Sequence, residues 1–163
     1  MEENTSDDVD KKLQHIDKLL NEYESKVGLP KTSFENKEAQ KYLEMSRDQL
    51  EQITPEECAE ASYYLTNLAY HIQKSINRES SRLNWSDATL KRYISDKVSQ
   101  YRGSWEQQEM QVIKNDPYAD RLNQVKLWAR LRIDRLSYIT TNLKNLSDVL
   151  LNIQRAKLGK RNG

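Results

Sequence analysis

The sequence predicts an all-α protein, and three observations predict it. Apolar residues recur every seven places between Asp116 and Ala156. Leu122, Ala129, Leu136, Leu143 and Leu150 form one seam, and Val125, Ile139, Leu146 and Ile153 form a second three residues on. A repeat of that period and length requires a helix whose apolar stripe is buried against other helices. Breakers are scarce, with 4 Gly and 3 Pro in 163 residues, and 31% of the chain is charged, which fits long helices exposing much surface. Two helix starts are strongly marked. At Thr54-Pro55-Glu56-Glu57 and at Asn115-Asp116-Pro117 a capping side chain precedes a proline, whose missing N–H is harmless in a first turn. A chain of this length suggests one domain, but one so polar buries little per residue. The expectation is an elongated helical protein with a long C-terminal heptad helix, associating as a helical-bundle oligomer.

The elements follow in order. Val9, Leu13, Ile16, Leu20, Tyr23 and Val27 predict a first helix, capped by Asp7 or Asp8 and ended by Gly28 and Pro30. Lys31 to Lys37 reads as a linker. A second helix is expected from Lys37 to Ile53, with Ala39, Tyr42, Leu43, Leu50 and Ile53 inward. From Thr54 a long helix carries Cys58, Leu65 and Ile72 at sevenfold spacing, with Ala61, Leu68 and Ala69 beside them. Asn84-Trp85-Ser86 is expected to bend or interrupt it, because Ser86 and Asp87 are good caps. Leu90, Ile94, Val98 and Tyr101 form the next stripe, closed by Gly103. Ser104 to Lys114 reads as a short helix with Trp105 and Val112 inward. The heptad helix then runs from Asp116 to about Leu158, a span of about 60 Å, and Gly159 is expected to end it. Arg132 stands where the second seam calls for an apolar residue. Either the register shifts there, or its stem packs while its head reaches water, or it is a buried polar device that sets oligomer register.

Charge is split along the chain. Residues 1–60 carry 8 Lys/Arg against 16 Asp/Glu, and residues 121–163 carry 10 against 2. The basic end can serve an anionic partner, or the acidic end of a neighbouring subunit. Cys58 is the only cysteine, so an internal disulfide or a cysteine metal cluster is excluded. No run of about 18 apolar residues predicts a membrane span. The acidic start Met1-Glu2-Glu3-Asn4 does not read as a signal peptide, and a cytoplasmic location is the default. His15 and His71 have no metal-ligand spacing, the glycines form no phosphate loop, and no nucleophile signature occurs. No catalytic residue, metal ligand or cofactor is expected, and the chain reads as a non-enzyme.

One constellation stands out in the central chain. Lys74, Arg78 and Arg82 recur every four residues and form a ridge on one helix. Lys91, Arg92 and Arg102 continue it, with Trp85, Tyr93 and Tyr101 interleaved. Binding a single strand without sequence preference needs such a mixture: cations for the backbone and aromatic faces for the bases. Tyr63, Tyr64 and Tyr70 flank an apolar seam and read as core edge.

Between Pro55 and Arg155 the order of features resembles the UvsY-type recombination mediators of tailed phages. An Ala- and Tyr-rich helix, Ala59-Glu60-Ala61-Ser62-Tyr63-Tyr64-Leu65, leads into the basic ridge. Leu90-Lys91-Arg92 and Tyr101-Arg102-Gly103 follow, then Glu109-Met110-Gln111-Val112-Ile113, and last the long helix from near Leu122 with Trp128 in its first third. About 100 residues are covered. The family's DNA-binding motif resembles Leu-Lys-x-Arg. Leu90 and Lys91 match it, the arginine stands one place early at Arg92, and Tyr93 occupies the family's arginine position. The resemblance implies a protein of the infected bacterial cytoplasm that binds single-stranded DNA and loads a phage recombinase in place of single-strand binding protein. It also implies a ring-shaped homo-oligomer held by the C-terminal helix.

These readings divide the chain into an acidic N-terminal helical extension (1–53), a helical region for single-stranded DNA (54–115), and an oligomerisation helix with a basic tail (116–163). The expected DNA contacts are Lys74, Arg78, Arg82, Lys91, Arg92, Tyr93, Tyr101 and Arg102. The expected oligomer seam is Leu136, Ile139, Leu143, Leu146, Leu150 and Ile153. The acidic helices are expected to shield the basic face until a partner displaces them. The alternative is a helical adaptor or virion component with no nucleic-acid role.

Overall fold

The computed structural model describes residues 6–26 and 37–161. All regular structure among the described residues is helical, and the fold is all-α as expected. Helix α1 (Ser6–Lys26) places Asp7 and Asp8 in its first turn, where they meet the positive end of the helix dipole. The predicted stop at Gly28 and Pro30, and most of the predicted linker, lie outside the described residues.

The single helix expected from Lys37 to Ile53 is instead two, α2 (Lys37–Leu43) and α3 (Arg47–Gln52). Ser46 is the cause. Its Oγ accepts from the N–H of Gln49 at 3.3 Å, and its own N–H donates to Gln49 Oε1 at 2.8 Å. This reciprocal box starts a new helix inside the segment expected to be continuous. Ala39 and Tyr42 are buried as expected, but Leu43 is exposed beside the break.

Helix α4 (Pro55–Ser95) opens on the predicted box. Glu57 N–H donates to Thr54 Oγ1 at 3.1 Å, and Thr54 N–H donates to Glu57 Oε2 at 2.7 Å. The interruption expected at Asn84-Trp85-Ser86 is absent. Ser86 is fully buried, and its Oγ donates to the Leu83 carbonyl at 3.1 Å. A serine whose hydroxyl bonds back along its own helix has no need to cap a new one.

A 3-10 turn (Val98–Gln100) leads to Gly103, whose φ of +121° only glycine adopts without strain. Ser104 and Gln107 form another capping box, and α5 (Trp105–Asn115) follows. Val112 is inward, but Trp105, expected inward, is 54% exposed in the first turn. Asp116 then caps α6 (Pro117–Arg161), its Oδ1 accepting from the N–H groups of Tyr118 and Ala119 at 3.0 and 3.2 Å. The helix runs past Gly159, which was expected to stop it. Glycine weakens a helix interior by about 1 kcal/mol, too little to end a helix without a left-handed cap.

The chain divides into two compact units. The first contains α1, α4 from Asn77, the 3-10 turn, α5, and α6 as far as Asp134. Its core is built from Val9, Leu90, Ile94, Val112, Tyr118, Ala119, Leu122 and Val125. The second contains α2, α3, α4 as far as Ile76, and α6 from Arg135. There Cys58, Leu65 and Ile72 are buried at their sevenfold spacing, with Ala61, Ala69, Leu143 and Leu150. Three hydroxyls join α4 to α6 within this unit. Ser62 Oγ lies 2.6 Å from Ser147 Oγ, and Thr66 Oγ1 lies 3.0 Å from the same atom.

Candidate nucleic-acid interface

The second half of α4 lies beside α1 in the first unit, and the contact is built from charge. Arg82 forks onto Asp17, donating from Nε at 3.3 Å and from Nη2 at 2.6 Å. Its Nη1 donates to Glu79 at 2.8 Å. Glu79 is buried and accepts a second guanidinium, the Nε of Arg132, at 2.9 Å. The discordant Arg132 of the second seam thus pairs within the chain. Arg78 donates to Asn21 Oδ1 at 2.5 Å. From α6, Arg121 donates to Asp10 Oδ1 from Nε at 3.2 Å and from Nη2 at 2.7 Å. Two predicted DNA contacts, Arg78 and Arg82, are therefore engaged by α1. Lys74 belongs to the second unit, where it is half-buried and already has a partner.

The predicted residues further along divide into held and open groups. Lys91 pairs with Asp87 at 2.7 Å yet is 72% exposed, and Lys126 of α6 reaches the same carboxylate at 2.7 Å. Their hydrogen bonds, that of Lys126 foremost, hold the Asp87 carboxyl below its ordinary range. Arg92 and Arg102 are exposed and make no ion pair among the described residues. Tyr93 is held. Its hydroxyl donates to Asp116 Oδ2 at 2.7 Å, its ring lies 4.7 Å from that of Tyr118, and the Lys97 ammonium stands 4.4 Å above it. Lys97 also binds Asp116 at 2.5 Å. Burial works against the Asp116 charge, but Lys97, the Tyr93 hydroxyl and the Ala119 N–H together outweigh it, so its carboxyl sits below the usual range. Tyr101 and Trp85 pack on the core, and the Tyr101 carbonyl accepts from Gln108 Nε2 at 2.8 Å.

The aromatic faces expected to meet bases are thus partly enclosed. A different aromatic is open. Trp128 is 58% exposed and lines a cleft of about 460 Å³ in the first unit. Asp10, Asp17, Arg82, Arg121 and Arg132 line it too, and Leu13 and Val125 contribute apolar surface. The residue reading missed Arg121, Trp128 and Arg132 as a group. The available signal was their spacing with Val125, at offsets 0, 4, 7 and 11, which places all four on one stripe of α6.

The expected oligomer seam lies in the second unit. Leu143 and Leu150 are buried within the chain, Leu136, Leu146 and Ile153 are half-buried, and Ile139 is 38% exposed. No group of His, Cys, Asp and Glu among the described residues is placed to hold a metal. No helix of the described residues is long and apolar enough to cross a membrane. No protein-family model, curated protein or solved structure matches the chain.

Proposed function

We propose that this protein is a non-enzymatic single-stranded DNA-binding protein of the recombination-mediator kind. It holds the strand on the first unit and promotes loading of a recombinase in place of single-strand binding protein. Its place of action is the cytoplasm of an infected bacterial host, and it works as a homo-oligomer, in which a repeated weak site gains avidity. The observation that carries the reading is the exposure of three cations, two at the end of α4 and one beyond the turn after it. Lys91 projects outward, and Arg92 and Arg102 are exposed without an ion pair among the described residues. Cations left open to solvent are those able to release phosphate counterions on binding.

The test is sedimentation of the purified chain with and without single-stranded DNA, at low and high salt. The expected result is co-sedimentation at low salt that is lost steeply as salt rises. Lys91→Ala with Arg92→Ala lowers affinity, reduces the salt slope by about 1.4, and leaves the helix content unchanged. No co-sedimentation of wild type at low salt ends this reading.

One observation favours a second reading, a helical structural or adaptor protein. Arg82, Arg121 and Arg132 already have carboxylate partners inside the chain. That reading expects stable association indifferent to nucleic acid, and the same sedimentation experiment separates the two.

A further inference from the structure

The cleft of the first unit combines three features that no simple ion-pair network needs. Three guanidinium groups, Arg82, Arg121 and Arg132, converge on it from two helices. An indole, Trp128, lies in its wall with more than half its surface in solvent. The carboxylates that engage two of the arginines, Asp10 and Asp17, both come from α1, a helix anchored in this unit's core by the fully buried Val9. On α6 Arg121 and Arg132 are eleven steps apart, about 16 Å at 1.5 Å per residue. A stacked strand advances about 3.4 Å per phosphate, so the stripe matches about four or five nucleotides.

We propose that this cleft grips a single nucleic-acid strand by exchanging carboxylates for phosphates. Asp10 and Asp17 hold Arg121 and Arg82 in extended, fork-presenting positions, and each guanidinium passes from a carboxylate to a phosphate, the two anions it binds bidentately. Arg132 keeps its buried partner Glu79 and adds positive charge to the wall. Trp128 offers its ring to a base, a contact that tolerates any sequence because every base has a flat face. The α1 helix is therefore a built-in competitor for the strand. This inference rests on the single-strand reading above and adds to it a site, a stacking residue and a regulator.

Removal of the N-terminal helices is a poor test, because it also removes Val9 from the core. Charge-neutral substitutions keep the helix. The experiment measures binding of a fluorescent oligothymidylate to the full chain by anisotropy across a salt series. It compares wild type, Trp128→Ala, and Asp10→Asn with Asp17→Asn. The expected result is about tenfold weaker binding for Trp128→Ala, in the range of one base–aromatic contact. The double Asn variant binds about tenfold more tightly. Its salt slope is also steeper by up to about 2, because in wild type the two released carboxylates take up cations that offset those leaving the strand.

A strand bound by wild type with both variants unchanged overturns the cleft and leaves the single-strand reading standing. Wild type silent at low salt overturns the cleft together with the single-strand reading even where the double Asn variant binds, because removing two negative charges then creates the affinity. Silence of both ends the two readings together. A double Asn variant with reduced helix content leaves the decision to Trp128→Ala, which removes an exposed indole. Quenching of tryptophan fluorescence by polyglutamate and not by oligothymidylate, seen in wild type and lost in Trp128→Ala, overturns the strand in favour of an acidic protein partner.

Discussion

At the scale of single residues, the helix ends decide most. Asp116 caps α6 and pairs with Lys97 at once, and its side chain is only 17% exposed. Asp116→Ala is expected to cost about 2–4 kcal/mol, the sum of a lost cap and an uncompensated, partly buried ammonium. Asp116→Asn keeps a capping oxygen and costs less; urea unfolding of the two variants separates cap from charge. Asp87 and Asp116 both titrate below the ordinary carboxyl range in the folded chain. The unfolded chain therefore takes up protons first as pH falls. Their contribution is whole above about pH 5 and is lost as pH drops through about 4 toward the lowered folded values. Denaturation midpoints measured from pH 6 to pH 3 should fall less for Asp116→Asn than for wild type. Two glycines give opposite expectations. A Cβ at Gly103 meets Gln107 Oε1 at 2.4 Å and carries a left-handed φ, so Gly103→Ala disturbs the α5 cap and lowers stability by about 1–2 kcal/mol. Gly159 is helical with nothing within 4 Å of an added Cβ, so Gly159→Ala raises stability by up to about 1 kcal/mol. Thermal melts check both.

At the scale of elements, the sequence is most legible where periodicity and capping agree. The starts of α4 and α6 and the inward face of Cys58, Leu65 and Ile72 are read directly from residue types. The departures come where one side chain changes its hydrogen-bonding partner. Ser46 finds Gln49 and starts a helix; Ser86 finds the carbonyl of Leu83 and starts none. Both are serines before polar residues, but Ser46 has Gln49 three places on, the reciprocal capping pattern also seen at Thr54 and Glu57, whereas Ser86 has Thr89 there, so the difference was present in the residues. The cationic ridge was legible as a spacing, and the charge split raised the expectation that the acidic helices cover it, but the individual pairings were not legible, because Asp17 and Arg82 are 65 residues apart in the chain. The heptad helix shows the same limit. Its repeat announces burial without naming the partner, and Leu143 and Leu150 bury inside the second unit. Leu143→Asp with Leu150→Asp is thus expected to unfold that unit, since each replaces a buried leucine by a charge. Ile139→Asp, at a more exposed site, is the better probe of association. It should lower the sedimentation coefficient of an α6-mediated oligomer with little loss of melting temperature.

At the scale of the whole molecule, neither unit is a continuous stretch. Each takes one segment of α4 and one of α6, and the N-terminal helices are shared out between them, α1 to the first and α2 and α3 to the second. Cutting the chain between residues 53 and 54 therefore removes core from both units. The isolated segments 54–115 and 116–163 are each expected to lose helical content relative to the full chain, and circular dichroism of the two peptides, separately and mixed, measures it. The charge split along the sequence finds a use at this scale. The acidic N-terminal half meets basic residues of the later chain through Asp10 and Asp17 in the first unit, so a near-neutral total conceals opposed surfaces already joined.

The three hydroxyls of the second unit bear on a different property, the uniqueness of the fold. A seam of leucines every seven residues looks nearly the same after α6 slides by seven. Leu136 would stand in place of Leu143, or Leu150 in its stead. Ser147 breaks that ambiguity. In the observed alignment it answers both Ser62 and Thr66; a slide one way brings up Thr140, whose hydroxyl already serves Leu136, and the other way the longer Gln154. A misaligned helix loses the joint contact with Ser62 and Thr66, and each such hydrogen bond is worth about 0.5–1.5 kcal/mol. The cluster thus works as an address, distinguishing the right alignment from near-copies rather than adding much stability. Ser62→Ala with Ser147→Ala should leave the melting temperature almost unchanged while doubling or broadening the amide resonances of residues 135–158.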